Sequence, residues 1–127
     1  MKSRNRAKGD IGEEIASNWL EKNKNFIILD RNYSTRYGEI DIIAQNNEFY
    51  VFVEVKYRCG NTHGYPYEAV TLTKQDKIGK SALCYIQKKE LDINIPVRFD
   101  VVEISEDKIS GVKYIRHTEN AFEWSNY

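Results

Sequence analysis

Apolar residues recur along the chain with two different periods, and each change of period marks an element. From Asp10 to Asn23, residues Ile11, Ile15, Ala16, Trp19 and Leu20 return every three or four positions, which puts them on one side of a helix. Asp10 stands where an N-cap is expected, and Glu13 three residues later comes close to completing a capping box. Phe26 to Asp30 is a short apolar run of strand type. Glu39 to Gln45 (EIDIIAQ) and Glu48 to Tyr57 (EFYVFVEVKY) follow, separated by Asn46-Asn47. Two asparagines tolerate the left-handed conformations of a tight turn, so the pair reads as a hairpin. After a polar, aromatic loop from Arg58 to Tyr67, a second helix runs from about Thr73 to Lys89, with Ile78, Ala82, Leu83, Tyr85 and Ile86 on one face. Pro96 introduces a strand over Val97 to Ile104, Gly111 precedes another over Val112 to Arg116, and a short helix is expected around Ala121 to Trp124.

The order α-β-β-β-α-β-β predicts an α/β domain with a mixed central sheet flanked by helices. At 127 residues, with no internal repeat and no Pro/Gly-rich linker, the chain is expected to form one domain over residues 1–127. Met1 to Lys8 holds Lys2, Arg4, Arg6 and Lys8 and no acid, and is expected to be a flexible basic arm.

Composition narrows the function. A chain that is 41% hydrophobic can build a packed core. The longest apolar run, Phe49 to Val53, falls far short of the roughly 20 residues a membrane helix needs. No apolar stretch follows the basic start, so a secretory signal is not expected. Two cysteines, Cys59 and Cys84, make no disulfide framework, and no Cys or His spacing suits zinc. A cytoplasmic protein with reduced thiols and no membrane partner is expected. Nineteen basic and nineteen acidic residues balance to zero, which argues against a generic polycation.

The hairpin carries the chemistry. A two-residue turn at Asn46-Asn47 places Ile40, Ile42 and Ala44 opposite Val53, Val51 and Phe49 on one apolar face. The other face then carries Glu39, Asp41 and Ile43 beside Tyr50, Phe52, Glu54 and Lys56. Glu39 faces Glu54 in this register, with Asp41 as the diagonal neighbour. Like charges opposed across a sheet cost stability unless something neutralises them. A divalent cation would do so, and Mg²⁺ is held by one or two carboxylates together with waters and phosphate oxygens. With Lys56 near the phosphate or the attacking water, the ingredients suit metal-assisted hydrolysis of a phosphodiester.

These residues resemble a known pattern. Asp41, followed thirteen residues later by Glu54-Val55-Lys56, is similar to the PD-(D/E)xK nuclease signature, with Ile40 where proline often stands. Gly12-Glu13 with Ala16, Arg31-Asn32, Gly38 to Ile43, Phe52 to Arg58, Gly64 with Pro66, Lys74, and Arg98 to Val102 resemble the bacterial YraN family over nearly the whole chain. The resemblance implies a restriction-endonuclease-like fold, related to Holliday-junction resolvases, and a Mg²⁺- or Mn²⁺-dependent endonuclease acting on DNA, with branched or structured DNA in view. It makes Asp41 and Glu54 metal ligands and Lys56 the catalytic lysine. Glu13 matches the first-helix acid that resolvase-like relatives use near the metal, and Glu39 is either a second ligand or a supporting group. Lys74, Lys77 and Arg58 are the candidate nucleic-acid contacts. Resolvases act as symmetric dimers, so a homodimer is in view.

Each residue also has an ordinary reading. Glu54 and Lys56 could be a surface ion pair, and Glu13 could serve the capping box. The Lys74, Lys77 and Lys88 stripe could be a solvated face. His63, Tyr65 and Tyr67 suit a self-packed loop better than base stacking, and His117 reads as a strand-end residue without a role. Two further functions compete: a nucleic-acid-binding module without turnover, and an interaction domain with a vestigial site. Retention of both ligands and the lysine disfavours them.

Overall fold

The period-2 runs assemble into one sheet, and the helical segments cover its two faces. The structure, a computed structural model, describes residues 4–59 and 70–125. Helix α1 (Arg4–Lys24) precedes strands β1 (Ile27–Thr35), β2 (Gly38–Asn46) and β3 (Phe49–Cys59). Helix α2 (Leu72–Lys88) then leads to β4 (Val97–Glu106) and β5 (Lys113–Phe122). The five strands lie side by side in chain order. Among the described strands, only β3 and β4 are parallel. A tight turn cannot join a parallel pair, and α2 sits within that crossover. This is the mixed α/β core, in the order α-β-β-β-α-β-β, expected of a restriction-endonuclease-like domain.

Strand alternation builds a core on each face. Val51, Val53, Val102 and Ile104 point toward α1, where they pack with Ala16, Leu20 and Phe26. Phe52, Phe99 and Val101 point the other way, onto Ile78, Ala82, Tyr85 and Ile86 of α2. Each such aliphatic side chain contributes about 1.5–3 kcal/mol on burial. Glycine lets one contact close tightly: a Cβ on Gly79 would lie 2.1 Å from the Trp124 ring.

Several elements differ from the sequence-based expectations. Helix α1 starts at Arg4, so Arg4 to Lys8 form helix where a flexible arm was expected, and Asp10 lies inside the helix and is not its N-cap. Strand β1 continues to Thr35, closing on β2 through a turn at Arg36-Tyr37. The β2–β3 turn uses Asn47-Glu48, which pairs Asn46 with Phe49, Ala44 with Val51 and Ile42 with Val53. Asn47 alone takes the left-handed conformation (φ 56°), while Asn46 stays in the strand and donates its amide to the Lys24 carbonyl at the end of α1 (3.3 Å). The turn is thus displaced by one residue and the pairing by two. Ile40 and Ile42 were expected on one face; Ile40 instead joins the α2 side and Ile42 the α1 side. The short C-terminal helix is absent among the described residues. β5 runs through Ala121 to Phe122 because Phe122 stacks on Phe99 (4.9 Å between ring centres), and Trp124 donates its indole N–H to Asp76 (3.1 Å).

Candidate functional site

The break in alternation between Ile40 and Ile42 falls on Asp41. On the β3 side, regular pairing stops at Ile42–Val53. On the β1 side, Asn32 lies between the paired Arg31–Ile42 and Tyr33–Ile40 and adopts φ 54°. With the ladder interrupted on both sides, Asp41 Oδ2 accepts the Val55 backbone N–H (2.8 Å). The carboxylate therefore lies between the strands, within reach of Glu54 on one side and Glu13 on the other.

Glu13 arrives from α1. A Cβ on Gly12 would come within 3.0 Å of the Tyr57 Cβ, so this helix turn rests directly on β3. Glu13 is left 5% exposed, in the interior of the helix, so its capping-box reading falls away with the earlier helix start. One carboxylate oxygen each of Glu13, Glu39 and Asp41 lies within 4.8 Å of the others. Ser34 Oγ donates to Glu39 Oε2 (3.3 Å), fixing its position beside the cluster. The register shift has one further effect: Asp41, and not Glu39, stands next to Glu54.

Electrostatics show that Glu13, Asp41 and Glu54 resist ionisation. Burial pushes the Glu13 carboxyl above the usual range, with Glu39 and Asp10 adding repulsion against the pull of Asp41 and Arg31. Burial likewise raises Asp41, against the hydrogen bonds it makes with Glu54 and Val55. Glu54 is pushed up to about 8, by burial first and then by Asp41, while Lys74 pulls the other way. Without a cation such a group holds shared protons and titrates as a unit. Glu13 Oε1 is buried with no hydrogen-bond partner among the described residues, as is Ser17 Oγ one turn further along α1. A buried carboxylate that keeps one oxygen orphaned within a group of three acids fits a divalent cation, since hard cations take oxygen ligands and supply the missing charge.

The remaining sequence candidates are placed around this centre. Lys56 follows Glu54 by two residues, on the same side of β3, and is half-buried. Arg58 continues that side, half-buried and paired in register with Ser105 of β4. Thr71 caps α2, its hydroxyl accepting the Lys74 N–H (3.2 Å). The helix start fixed in this way brings Lys74 Nζ to 3.4 Å from Glu54 Oε2. Lys77 is exposed one turn on. Gly60, His63, Gly64, Tyr65, Pro66 and Tyr67 lie outside the described residues.

Sequence reasoning overlooked a second polar cluster. Asp100 is completely buried and accepts two bonds from Arg98 (both 2.9 Å), one from the Asn120 backbone N–H (3.0 Å), and pairs with His117 Nε2 (2.8 Å). Burial alone would raise the Asp100 carboxyl; the bonds from His117, Arg98 and Asn120 win and hold it low. The His117 side chain is thus buried, inside β5, and set edge-on to Trp19 and Phe26. The i, i+2 spacing of Arg98 and Asp100 on one strand face was the available signal. Nothing in the sequence placed His117 opposite them.

Comparison with known proteins bears on the whole chain. The sequence model of the Uncharacterised protein family UPF0102 matches residues 12–104. A UPF0102 protein of Clostridium tetani (strain Massachusetts / E88) is 46% identical over 123 residues, covering 97% of this chain and 99% of its own. One from Clostridium botulinum (strain Loch Maree / Type A3) is 44% identical over 115 residues, covering 91% and 93%. Among solved structures, Pyrococcus furiosus SfsA in complex with Ca²⁺ aligns at a TM-score of 0.40 and 13% identity, over 91% of this chain and 63% of that one. Neither the fold nor the site rests on that distant likeness. The length and level of the sequence matches settle the kinship: the chain belongs to the UPF0102 family, the YraN-like group that its motifs resemble.

Proposed function

We propose that this protein is a divalent-cation-dependent nuclease that hydrolyses phosphodiester bonds in DNA, with branched or structured DNA among its candidate substrates. The observation that carries the reading is the placement of Asp41 between two groups of acids, with Glu13 and Glu39 on one side and Glu54 on the other, and Lys56 two residues along β3. Mg²⁺ or Mn²⁺ held by these carboxylates would supply a Lewis acid and lower the pKa of an attacking water. The protein's own part is positional and electrostatic. The Val55 N–H holds Asp41 Oδ2 in place, which fixes the carboxylate beside Glu13 and Glu54, where it would ligate the cation. Lys56 brings a cation to where negative charge develops on the phosphate, and such a preplaced charge favours the transition state over the ground state. Arg58, Lys74 and Lys77 neutralise flanking phosphates and give the complex its register without reading bases.

The test is cleavage of linear, flapped and four-way DNA, and of RNA, with and without Mg²⁺ or Mn²⁺. The reading predicts metal-dependent cleavage of DNA that EDTA abolishes. Absence of cleavage of every substrate in both metals would overturn it.

A further inference from the structure

A second feature lies beside the carboxylates, where the start of β2 meets the start of α2. The β1–β2 turn and the first turns of α2 enclose an open cleft of about 580 Å³, whose walls include Arg36, Tyr37, Leu72, Asp76, Lys77 and Lys80. Three cations share this cleft with one acid. The acid is already engaged: Asp76 takes the Trp124 N–H on one oxygen (3.1 Å) and Lys80 on the other (3.0 Å).

Tyr37 holds two of the cations together. The Arg36 guanidinium lies 4.9 Å from its ring centre and Lys80 Nζ 5.5 Å, and Arg36 Nη2 also donates to the Tyr37 hydroxyl (2.8 Å). An aromatic face attracts cations that would otherwise repel one another. The turn is pinned to the helix by Thr35, whose hydroxyl bonds Ser81 of α2 (2.8 Å) and accepts the Tyr37 N–H (3.1 Å). The arrangement is therefore built into the fold.

Its position relative to the site is fixed by chain geometry. Tyr37 is followed by Gly38, Glu39, Ile40 and Asp41 along β2, so one strand links the cleft to the acids. On α2, Lys74 touches Glu54, and Lys77 and Lys80 follow at successive three-residue steps. At 1.5 Å per residue these three lysines span roughly 9 Å along the helix.

We infer that this cleft receives the sugar–phosphate backbone of the nucleic-acid strand adjoining the cleaved bond, with Arg36, Lys77 and Lys80 neutralising its phosphates and Tyr37 acting as a positioning residue for Arg36 and Lys80. The inference rests on the nuclease reading and adds to it the strand's path away from the acids. Contact is to phosphate alone, so binding through the cleft is independent of sequence.

The test compares wild type with the Arg36→Ala/Lys77→Ala/Lys80→Ala protein. Binding of fluorescein-labelled duplex DNA is measured across a salt series without divalent cation, and Mn²⁺ binding and thermal unfolding are measured in parallel. The slope of log affinity against log salt is expected to become shallower by roughly 2.7, about 0.9 for each lost phosphate contact. Mn²⁺ binding should be unchanged, because none of the three touches the carboxylates. Wild-type binding with an equal affinity and slope in the triple variant would overturn this inference, and with it the phosphate contact assigned to Lys77, while leaving the metal-dependent nuclease centre at the carboxylates standing. Failure of wild type to bind DNA at any salt would overturn both.

Discussion

Replacing Glu54 with Gln should stabilise the metal-free protein, and increasingly so as pH rises. Glu54 titrates near 8 in the folded protein against an ordinary 4.5, because burial and Asp41 oppose its charge. The unfolded chain releases this proton from about pH 4.5 upward while the native state keeps it. Wild-type stability therefore falls with rising pH through that window, and the contribution is gone above the folded value. At about 1.36 kcal/mol per pH unit, the difference between 4.5 and 8 sets a ceiling of about 5 kcal/mol. Sharing of protons with Asp41 and Glu13 spreads the transition, so about half of that is expected for Glu54 alone. Glutamine keeps the shape and cannot ionise, which removes the slope. Urea unfolding in EDTA at pH 5, 7 and 9 reads the effect, with an unchanged m-value showing that the unfolded state is the same. The two proteins should match near pH 5, and the variant should lead by about 2 kcal/mol or more at pH 9. A gap that grows by less than about 1 kcal/mol over this range would refute the claim that burial holds Glu54 protonated.

Other outcomes follow from the same geometry. Asp41→Asn should lower cleavage by at least about 10²–10³-fold while DNA affinity stays equal or rises, because the amide removes a repulsion; Lys56→Ala should reduce both, the rate more. Kinetics and binding on one preparation check both variants. Asp100→Ala should cost about 3–5 kcal/mol by leaving the Arg98 charge without its buried partner, read by denaturant unfolding. The wild-type Asp100 contribution should be present above pH 3.8 and lost as pH falls through the lower folded value, so the variant should show a flatter acid limb. Gly79→Ala should displace Trp124, shift its fluorescence, and cost about 1–3 kcal/mol.

Much of this molecule was legible in local pattern. The period of Val51 to Val55 announced a buried strand, and the four-residue spacing of Ile78, Ala82 and Ile86 announced α2. The site residues were legible as types because acids opposed on a hairpin demand neutralisation. Their partners were less so. A two-residue slip in the hairpin keeps every side chain on its face, so the pattern could not distinguish Glu39 from Asp41 as the neighbour of Glu54. The irregularity at Asn32 and Asp41, which turns Ile40 away from Ile42, reflects a side chain replacing a backbone bond and leaves no periodic trace. Glu13 was ambiguous because an N-terminal signal at Asp10 competed with it. Only tertiary placement shows the helix beginning six residues earlier. His117 and Arg36 depend on contacts made between distant elements, which single-chain periodicity does not report.

The central claim, that the carboxylates form one cation site, is tested most directly by calorimetric titration of Mn²⁺ into wild type and Asp41→Asn at pH 7, in buffers of different ionisation enthalpy. Ligands must lose their protons to bind metal, and Glu54 holds its proton to about 8. The account predicts saturable binding by wild type with release of close to one proton per ion, and loss of that binding in Asp41→Asn. Equal binding by both proteins, or none by wild type, would contradict it.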